Sequence, residues 1–294
     1  MKAWWQASRP PFYIATLVPL VLGWVSANKD TGQWHPDLFL LILLCCFFLH
    51  LAANLANDLF DHLQGIDGGG NIGGSRAIQE GKISIPSYKK ALVLLYGGAI
   101  LMGAAGAWHT GHAGIWGIIL FAVFASFFYV ARPIRYGQRA MGELLVFLSM
   151  GLAMTAGTYY TLTGIWKASA FALSLPVGLM VAGILYYQIL PEIETDKAVG
   201  KHTLANVLGP RNAILAFCVW WPLIWLMMAL LFFSGVCSWP VFIGIAGSIP
   251  FYLLAVRRLL NADGDLLSLD AHGHLVRKMY LVCGLSLILA VAIR

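Results

Sequence analysis

Long apolar segments separated by short polar connections run the whole length of this chain. Apolar runs of roughly 18 residues or more recur along it, which is the length that a helix needs to cross a bilayer. They predict about nine spans, at 11–28, 37–57, 88–108, 113–131, 142–163, 169–190, 212–234, 239–257 and 277–293. The longest polar stretch runs only from Asp58 to Ser87, which leaves no room for a separate soluble domain. We therefore predict an all-α, polytopic membrane protein in which residues 1–294 form a single domain.

Composition supports a membrane-embedded protein. The chain is 60% hydrophobic and 11% charged, and its mean hydropathy is +0.77, which is far outside the globular range. The first apolar run follows Arg9-Pro10-Pro11, has full length and lacks a small-residue cleavage pattern. We therefore expect it to be a span rather than a cleaved signal peptide.

The lysines and arginines predict the orientation of these spans. With nine spans and a cytoplasmic N-terminus, the outer side keeps only three of the 19 basic residues: Lys29, Lys167 and Arg294. This asymmetry follows the positive-inside rule. It predicts a multi-pass protein of the inner (cytoplasmic) membrane. It also explains most of the net charge of +6, which comes from the basic residues on the inner side. The charge therefore indicates anionic lipid or substrate as partners, and no nucleic acid.

Two acidic clusters, each just past the end of an apolar run, are the main candidates for chemistry. The first is Asn57-Asp58-Leu59-Phe60-Asp61, followed by Asp67, and the second is Glu192-Ile193-Glu194-Thr195-Asp196. Acids three or four residues apart share one face of a helix. Asn54, Asn57 and Gln188 lie near or one turn before these acids and add uncharged oxygens. The similar positions of the two clusters, four spans apart, also raise the alternative of an internal repeat.

Like-charged carboxylates at this spacing repel one another, and a hard cation resolves the repulsion. Mg²⁺ takes one or two protein carboxylates and fills its coordination sphere with water and substrate phosphate oxygens. The alternative is that these are solvated acids at helix ends, which suits a lone Asp67 better than two clusters on one membrane face. We predict Asp58, Asp61, Glu192 and Asp196 as metal-binding and catalytic residues, with Asp67 as a weaker catalytic candidate.

Basic residues near the clusters are candidates for contact with a phosphate-bearing substrate. Arg76 and Lys82 follow a glycine-dense loop, 65–74, which alternatively is a flexible connector without a nucleotide P-loop ending. The arginines of the segment 132–143 either clamp a diphosphate or anchor helix ends to headgroups. The loop 263–274 contains Asp263, Asp265, Asp270, His272 and His274, for which a solvated loop is favoured over a metal site.

At these residues the chain resembles the UbiA superfamily of intramembrane prenyltransferases, and within it the 1,4-dihydroxy-2-naphthoate polyprenyltransferases of menaquinone synthesis. The first motif matches Asn57, Asp58, Asp61 and Asp67, and a downstream Gly-Gly-Ser matches Gly73-Gly74-Ser75. The second motif matches Glu192, Asp196, Gly200, Lys201, Thr203 and Leu204. Further matches lie at Arg9-Pro10, Tyr136, Arg139, Gly142, Glu143 and Gly157-Thr158-Tyr159-Tyr160. The chain departs from the family at Glu192 and Gln188, where Asp and Asn are usual.

The resemblance implies a helical bundle around a central cavity that opens to the cytoplasm. It implies an enzyme that uses Mg²⁺ to transfer an isoprenyl group from an isoprenyl diphosphate to an aromatic small molecule, most closely 1,4-dihydroxy-2-naphthoate. The implied substrate-binding residues are Asn54, Asn57, Arg76, Lys82, Tyr136, Arg139, Gln188 and Lys201.

Three alternatives stay open at this point. A UbiA-type terpene cyclase needs the same metal motifs, and another aromatic acceptor, such as a hydroxybenzoate or homogentisate, fits them equally. A cation-coupled transporter is a remote alternative, because transporters place ionisable groups near the bilayer midplane, where these spans have almost none.

Overall fold

The computed structural model describes residues 2–65, 74–262, 266, 269 and 273–294, and it is helical in these ranges. The α-helices of the described residues are α1 Lys2–Ala7, α2 Ile14–Thr31, α3 Pro36–Leu63, α4 Ile85–Thr110, α5 Gly114–Phe128, α6 Gly142–Val146, α7 Met154–Thr163, α8 Ala168–Ile189, α9 Ile193–Ala198, α10 Leu204–Leu208, α11 Pro210–Phe233, α12 Val241–Leu260 and α13 His274–Ala292. Asp67, Asp263, Asp265, Asp270 and His272 lie outside the described residues.

The all-α, membrane-spanning prediction is confirmed, but the count of nine spans is not. Seven helical segments in the described part of the chain are long and apolar enough to cross a membrane. An eighth span results if the bent pair Lys2–Phe12 and Ile14–Thr31, which meet at 54°, is taken as one. Helix α5 has 15 residues, and at 1.5 Å per residue it reaches about 22 Å of a hydrocarbon core that is about 30 Å thick.

Helix α3 explains why the first acidic cluster lies at one end of the bundle. Its 28 residues extend about 42 Å, which is longer than the hydrocarbon core. The last two turns, which hold Asp58 and Asp61, therefore project beyond the apolar part of the helix. Helix α4 starts at the same end, where Ser84 caps it by accepting a hydrogen bond from the Ser87 backbone N–H at 3.4 Å.

The largest core cluster packs α2, α8, α11 and α13 together. Its fully buried side chains include Trp221, Phe217 and Tyr280. Large side chains that exclude water dominate such cores. This cluster makes a rigid support for α8, whose end carries the second acidic cluster.

A π-helical segment, Phe147–Ala153, joins α6 to α7 and crosses α8 at very close range. A Cβ atom on Gly151 would lie 2.3 Å from the Cα atom of Gly178, so the two backbones meet without side chains between them. Small residues allow this close approach of helices in membrane proteins. The crossing therefore depends on a glycine on each helix.

Candidate active site

The two acidic clusters lie at helix ends that meet. Asp58 and Asp61 lie in the last turns of α3, and both are buried. Helix α8 ends at Ile189 and is followed by a 3₁₀ turn, Leu190–Glu192, and then by α9. Glu192 lies in that turn, and Asp196 is buried on α9. The helix through Asp58 and Asp61 places both on one face, as three-residue spacing requires.

Asp58 is held by four hydrogen-bond donors. Its Oδ1 accepts a hydrogen bond from Arg9 Nη2 at 2.6 Å and one from the Ser75 backbone N–H at 3.1 Å. Its Oδ2 accepts hydrogen bonds from the Ser75 hydroxyl and from the Tyr88 hydroxyl, the latter at 3.3 Å. Charge-assisted hydrogen bonds of this kind are among the strongest in proteins. Asp58 is therefore fixed in orientation and fully paired.

Lys201 joins the two acidic clusters. Its ammonium lies 3.3 Å from Asp196 Oδ1 and 3.7 Å from Asp61 Oδ2. Burial alone would lower the pKa of Lys201, but the carboxylates of Asp61, Asp196 and Glu192 outweigh that effect and raise the pKa above its usual value. Lys201 is therefore a cation at neutral pH, and Glu192 belongs to the same electrostatic group.

These carboxylates suit a hard cation. Their oxygens are the ligands that Mg²⁺ prefers. Asp61 Oδ1 is buried and has no hydrogen-bond partner among the described residues, and the Lys201 ammonium already lies between two of the acids. Across the described ranges, no three His, Cys, Asp or Glu side chains converge closely enough to hold a metal ion as they stand. The donor chemistry of these oxygens therefore fits a divalent cation.

The family model for the UbiA prenyltransferase family matches residues 16–268, which include both acidic motifs. The chain belongs to this family. Its fold agrees with that of a UbiA homologue from Archaeoglobus fulgidus bound to GPP and Mg²⁺, at a TM-score of 0.67 and 16% identity over 99% of this chain and 100% of that one. An apo UbiA homologue from Aeropyrum pernix gives a TM-score of 0.68 at 13% identity over 93% of this chain and 97% of the other.

Two prenyltransferases from bacteria are similar in sequence to this UbiA family member. The 1,4-dihydroxy-2-naphthoate octaprenyltransferase of Haemophilus influenzae is 30% identical over 74% of this chain and 73% of its own length. The 2-carboxy-1,4-naphthoquinone phytyltransferase of Synechocystis is 28% identical over 71% of this chain and 67% of its own length. The protein is thus an enzyme of the prenyltransferase class and a multi-pass membrane protein.

Other motif residues of this UbiA protein contact backbone carbonyl groups or surface residues rather than the acids of the two acidic clusters. The Tyr136 hydroxyl donates to the Ala125 carbonyl oxygen, and Arg139 Nη2 donates to the Pro133 carbonyl oxygen at 3.3 Å. Lys82 Nζ lies 2.5 Å from Glu80 Oε2 at the surface.

Four further predicted substrate-binding residues add little to the described contacts of the carboxylates. Asn54 Nδ2 donates to the Ser8 carbonyl oxygen at 3.2 Å. Arg76 is exposed, and Asn57 and Gln188 are partly buried. Their roles, like those of all the predicted site residues, stay predictions.

The sequence-based reasoning missed three of the contacts that organise this site. Arg9 was noted only as part of an Arg-Pro match, yet it pairs with Asp58, and neither Ser75 nor Tyr88 was predicted to bind that carboxylate. One signal was present. An arginine just before the first apolar run, in a chain with few charges, needs a carboxylate partner when it is buried. Sequence alone did not show which carboxylate that was.

The loop after α9 is tied to the segment between α5 and α6. The His202 backbone N–H donates to the Gln138 carbonyl oxygen at 3.1 Å, and Arg139 and His202 form an isolated β-bridge. This contact anchors His202, the residue that follows Lys201 in the chain. It also places the arginines around residue 135 next to the loop that holds Lys201.

Proposed function

We propose that this protein transfers an isoprenyl group from an isoprenyl diphosphate to 1,4-dihydroxy-2-naphthoate, as a step of menaquinone synthesis. The observation that carries the proposal is the meeting of both acidic motifs at Lys201, which builds one polar centre from two distant parts of an apolar chain. The names of the relatives supply the acceptor class, since both act on a naphthalene ring system. Those names differ in the prenyl group, octaprenyl in one and phytyl in the other, so the proposal leaves the chain length open.

Asp58, Asp61, Glu192 and Asp196 would hold the Mg²⁺. When bound, the ion neutralises diphosphate charge and makes the diphosphate a better leaving group. Lys201 contributes a permanent positive charge beside Asp61 and Asp196. Arg9, Ser75 and Tyr88 keep Asp58 in one orientation, which preorganises its side of the site.

The remaining predicted residues bind and orient the substrates. Arg76, Lys82 and Arg139 supply guanidinium and ammonium groups for the diphosphate oxygens. Asn54, Asn57, Tyr136 and Gln188 supply neutral polar groups. The apolar helices that surround the site hold the isoprenyl chain and exclude water, which would otherwise react with the allylic carbon.

In the transfer step, an electron-rich ring carbon of the acceptor forms a bond to the allylic carbon as the bond from that carbon to the diphosphate oxygen breaks. With 1,4-dihydroxy-2-naphthoate, the attacked position loses CO₂ and the ring recovers its aromaticity. Asp67 is a candidate to accept a proton from an acceptor hydroxyl.

We place the enzyme in the cytoplasmic membrane with its site facing the cytoplasm. The excess of lysine and arginine on the side that carries both acidic motifs supports this orientation. Several relatives of the naphthoate type come from bacteria, among them Haemophilus influenzae and Bacillus subtilis.

An assay of the purified full-length protein tests the proposal. The protein is given Mg²⁺ and an isoprenyl diphosphate, with or without 1,4-dihydroxy-2-naphthoate, and the products are read by mass spectrometry. We expect a prenylated, decarboxylated naphthoquinol that is absent when EDTA is added and returns with Mg²⁺.

Three other results would overturn parts of the proposal. A cyclic hydrocarbon or alcohol formed without an acceptor would make the protein a terpene cyclase. Products formed only with a hydroxybenzoate or homogentisate would change the acceptor. No diphosphate release with any chain length of donor would remove the prenyl-transfer mechanism itself.

A further inference from the structure

A polar cavity of about 260 Å³ lies beside the carboxylate site rather than within it. It is lined by the end of α3, by the segment between α5 and α6, and by the loop after α9. The side chains that matter here are Gln64, Arg132, Arg135, Gln138, Arg139 and His202. None of the six is acidic, and none of the carboxylates predicted to bind the metal lines the cavity.

The three guanidinium groups of this cavity are not neutralised by the described residues. Within the described ranges, Arg132, Arg135 and Arg139 form no ion pair with a carboxylate. The described residues give the Arg132 side chain no hydrogen bond, and Arg139 contacts a backbone carbonyl oxygen. Arg132 and Arg139 are exposed and Arg135 is half-buried, so water screens part of the repulsion between these three like charges, and a bound anion would offset the rest.

Two buried donors at this cavity have no hydrogen-bond partner in the described part of the chain. Arg135 Nη1 donates to Gln64 Oε1 at 2.9 Å, but the buried Arg135 Nε has no hydrogen-bond acceptor among the described residues. The buried Gln138 Nε2 also has none there. An unpaired buried donor costs free energy, so such groups are usually matched by a protein group, water or a ligand. Arg135 also has a φ of 48°, a left-handed conformation that is uncommon outside glycine and that often lies at functional sites.

We propose that this cavity binds a phosphate-type oxyanion at Arg132 and Arg135, as a site beside the carboxylates that shares Arg139 with the proposed diphosphate site. Arginine forks match phosphate oxygens in pairs, and the amide of Gln138 offers a further donor. Most of the described residues that line the cavity are polar, which suits a small hydrated anion better than an isoprenyl chain or an aromatic ring.

Two sources can supply this oxyanion: inorganic diphosphate released by the reaction, and the headgroup of an anionic lipid. The first source rests on the proposed function, and the released diphosphate would have a short path from Lys201 to the cavity. Gly200 and His202, on either side of Lys201 in the chain, belong to the loop that lines the cavity, and Gln64 lies one turn beyond Asp61 on the chain. An anion that leaves Lys201 would therefore meet the arginines next.

Direct binding of inorganic diphosphate to the full-length protein tests the proposal without any turnover. The titration is done by calorimetry in a neutral detergent with excess EDTA, so that no metal holds the anion at the carboxylates. We expect Arg132→Gln and Arg135→Gln each to weaken the affinity by about tenfold or more, since each removes a charge-assisted contact. Arg132 is exposed and its side chain has no hydrogen bond with the described residues, so we expect its variant to fold as the wild type does.

A matched control is Arg258→Gln, which removes an exposed arginine at the end of α12 that does not line the cavity. Its affinity for diphosphate should stay within about twofold of the wild-type value. Arg135→Lys keeps the charge but loses the fork, and it should fall between the wild type and Arg135→Gln.

Nanodiscs separate the two sources. If diphosphate binds equally in phosphatidylcholine and phosphatidylglycerol nanodiscs, the free anion is the ligand. If phosphatidylglycerol competes with it in the wild type but not in Arg132→Gln, the lipid headgroup occupies the cavity. Diphosphate affinity that is unchanged in both arginine variants, or lost only in Lys201→Gln, would overturn the proposal. Because no product is measured, failure of prenyl transfer would leave this result intact.

Discussion

Asp58 and Asp61 lie three residues apart on the same helix, and their surroundings are opposite. Asp58 accepts hydrogen bonds from Arg9, Ser75 and Tyr88, so both of its oxygens are satisfied by the protein itself. Asp61 lies 3.7 Å from the Lys201 ammonium, and its Oδ1 has no hydrogen-bond partner in the described part of the chain. Two acids of one motif are thus prepared for different tasks.

The difference suggests which acids exchange partners during the reaction. Removing Asp58 from its donors would leave the Arg9 guanidinium and the buried Ser75 hydroxyl without their carboxylate partner, which is costly. Moving Lys201 away from Asp61 and Asp196 costs less if another cation takes its place, because the two carboxylates stay neutralised. We infer that Asp58, besides its proposed part in holding Mg²⁺, keeps the site in shape, and that Asp61 and Asp196 exchange the Lys201 ammonium for the cation.

The largest effect that would test this comparison is expected for Asp196→Asn and Asp61→Asn. Each should lower the rate of prenyl transfer by about 10²–10³-fold, since each removes a charged group from the reacting centre. The measurement is the initial rate of product formation at saturating Mg²⁺, together with elution as a single folded species. Glu194→Gln, an exposed neighbour on α9, is the matched control. Near-normal rates in both Asn variants would remove these acids from the mechanism.

Lys201→Gln tests the difference between Asp58 and Asp61 through the stability of the protein with and without Mg²⁺. Without the ammonium, the free energy of unfolding of the metal-free protein should fall by about 3 kcal/mol, because two buried carboxylates are left unneutralised. Mg²⁺ should then raise the unfolding midpoint more in Lys201→Gln than in the wild type, since the ion has no competitor. An equal midpoint shift in both proteins would contradict the exchange of Lys201 for a cation.

The raised pKa of Lys201 sets the pH range of its contribution. A group whose pKa is raised on folding stabilises the protein fully at pH values below its pKa in the unfolded chain. The stabilisation disappears as the pH rises through its pKa in the folded protein. For Lys201 the loss therefore begins near its usual value of 10.5 and continues above it. The stability advantage of the wild type over Lys201→Gln, measured by the free energy of unfolding, should accordingly shrink as the pH rises above 10.5.

Arg9→Gln tests the other side of the comparison. Loss of the ion pair with the buried Asp58 should cost about 2 kcal/mol of stability, less than the loss of Lys201, because Arg9 keeps 23% of its side chain exposed. The rate at saturating Mg²⁺ should fall by less than in Asp196→Asn. Arg9→Lys is the control that keeps a charge but not the paired geometry. A loss of rate as large as that of Asp196→Asn, with stability unchanged, would make Arg9 part of the reacting centre.

The span pattern and the α3 helix through Asp61 could be predicted from sequence, because both follow from local periodicity and length. The pairing of Arg9 with Asp58 could not, since the two residues are 49 positions apart and several acids were equally available. The same holds for Lys201, whose place between Asp61 and Asp196 depends on where the end of α3 lies relative to α9. The short helix α5 was predicted as an ordinary span because hydropathy does not reveal where a helix ends.

Glu192→Asp is expected to have the smallest effect of these changes, although Glu192 is one of the two departures from the usual family motif. Glu192 lies in a 3₁₀ turn between α8 and α9, so its side chain starts from a different direction than it would on a continuous helix. One methylene fewer shortens the reach of the carboxylate but keeps its charge near Asp196 and Lys201. The rate should change by less than about threefold, measured as the initial rate across a Mg²⁺ titration. A complete loss of activity would show instead that the longer side chain is matched to the turn, and that Glu192 shares the exacting geometry of Asp58 rather than the exchangeable contacts of Asp61.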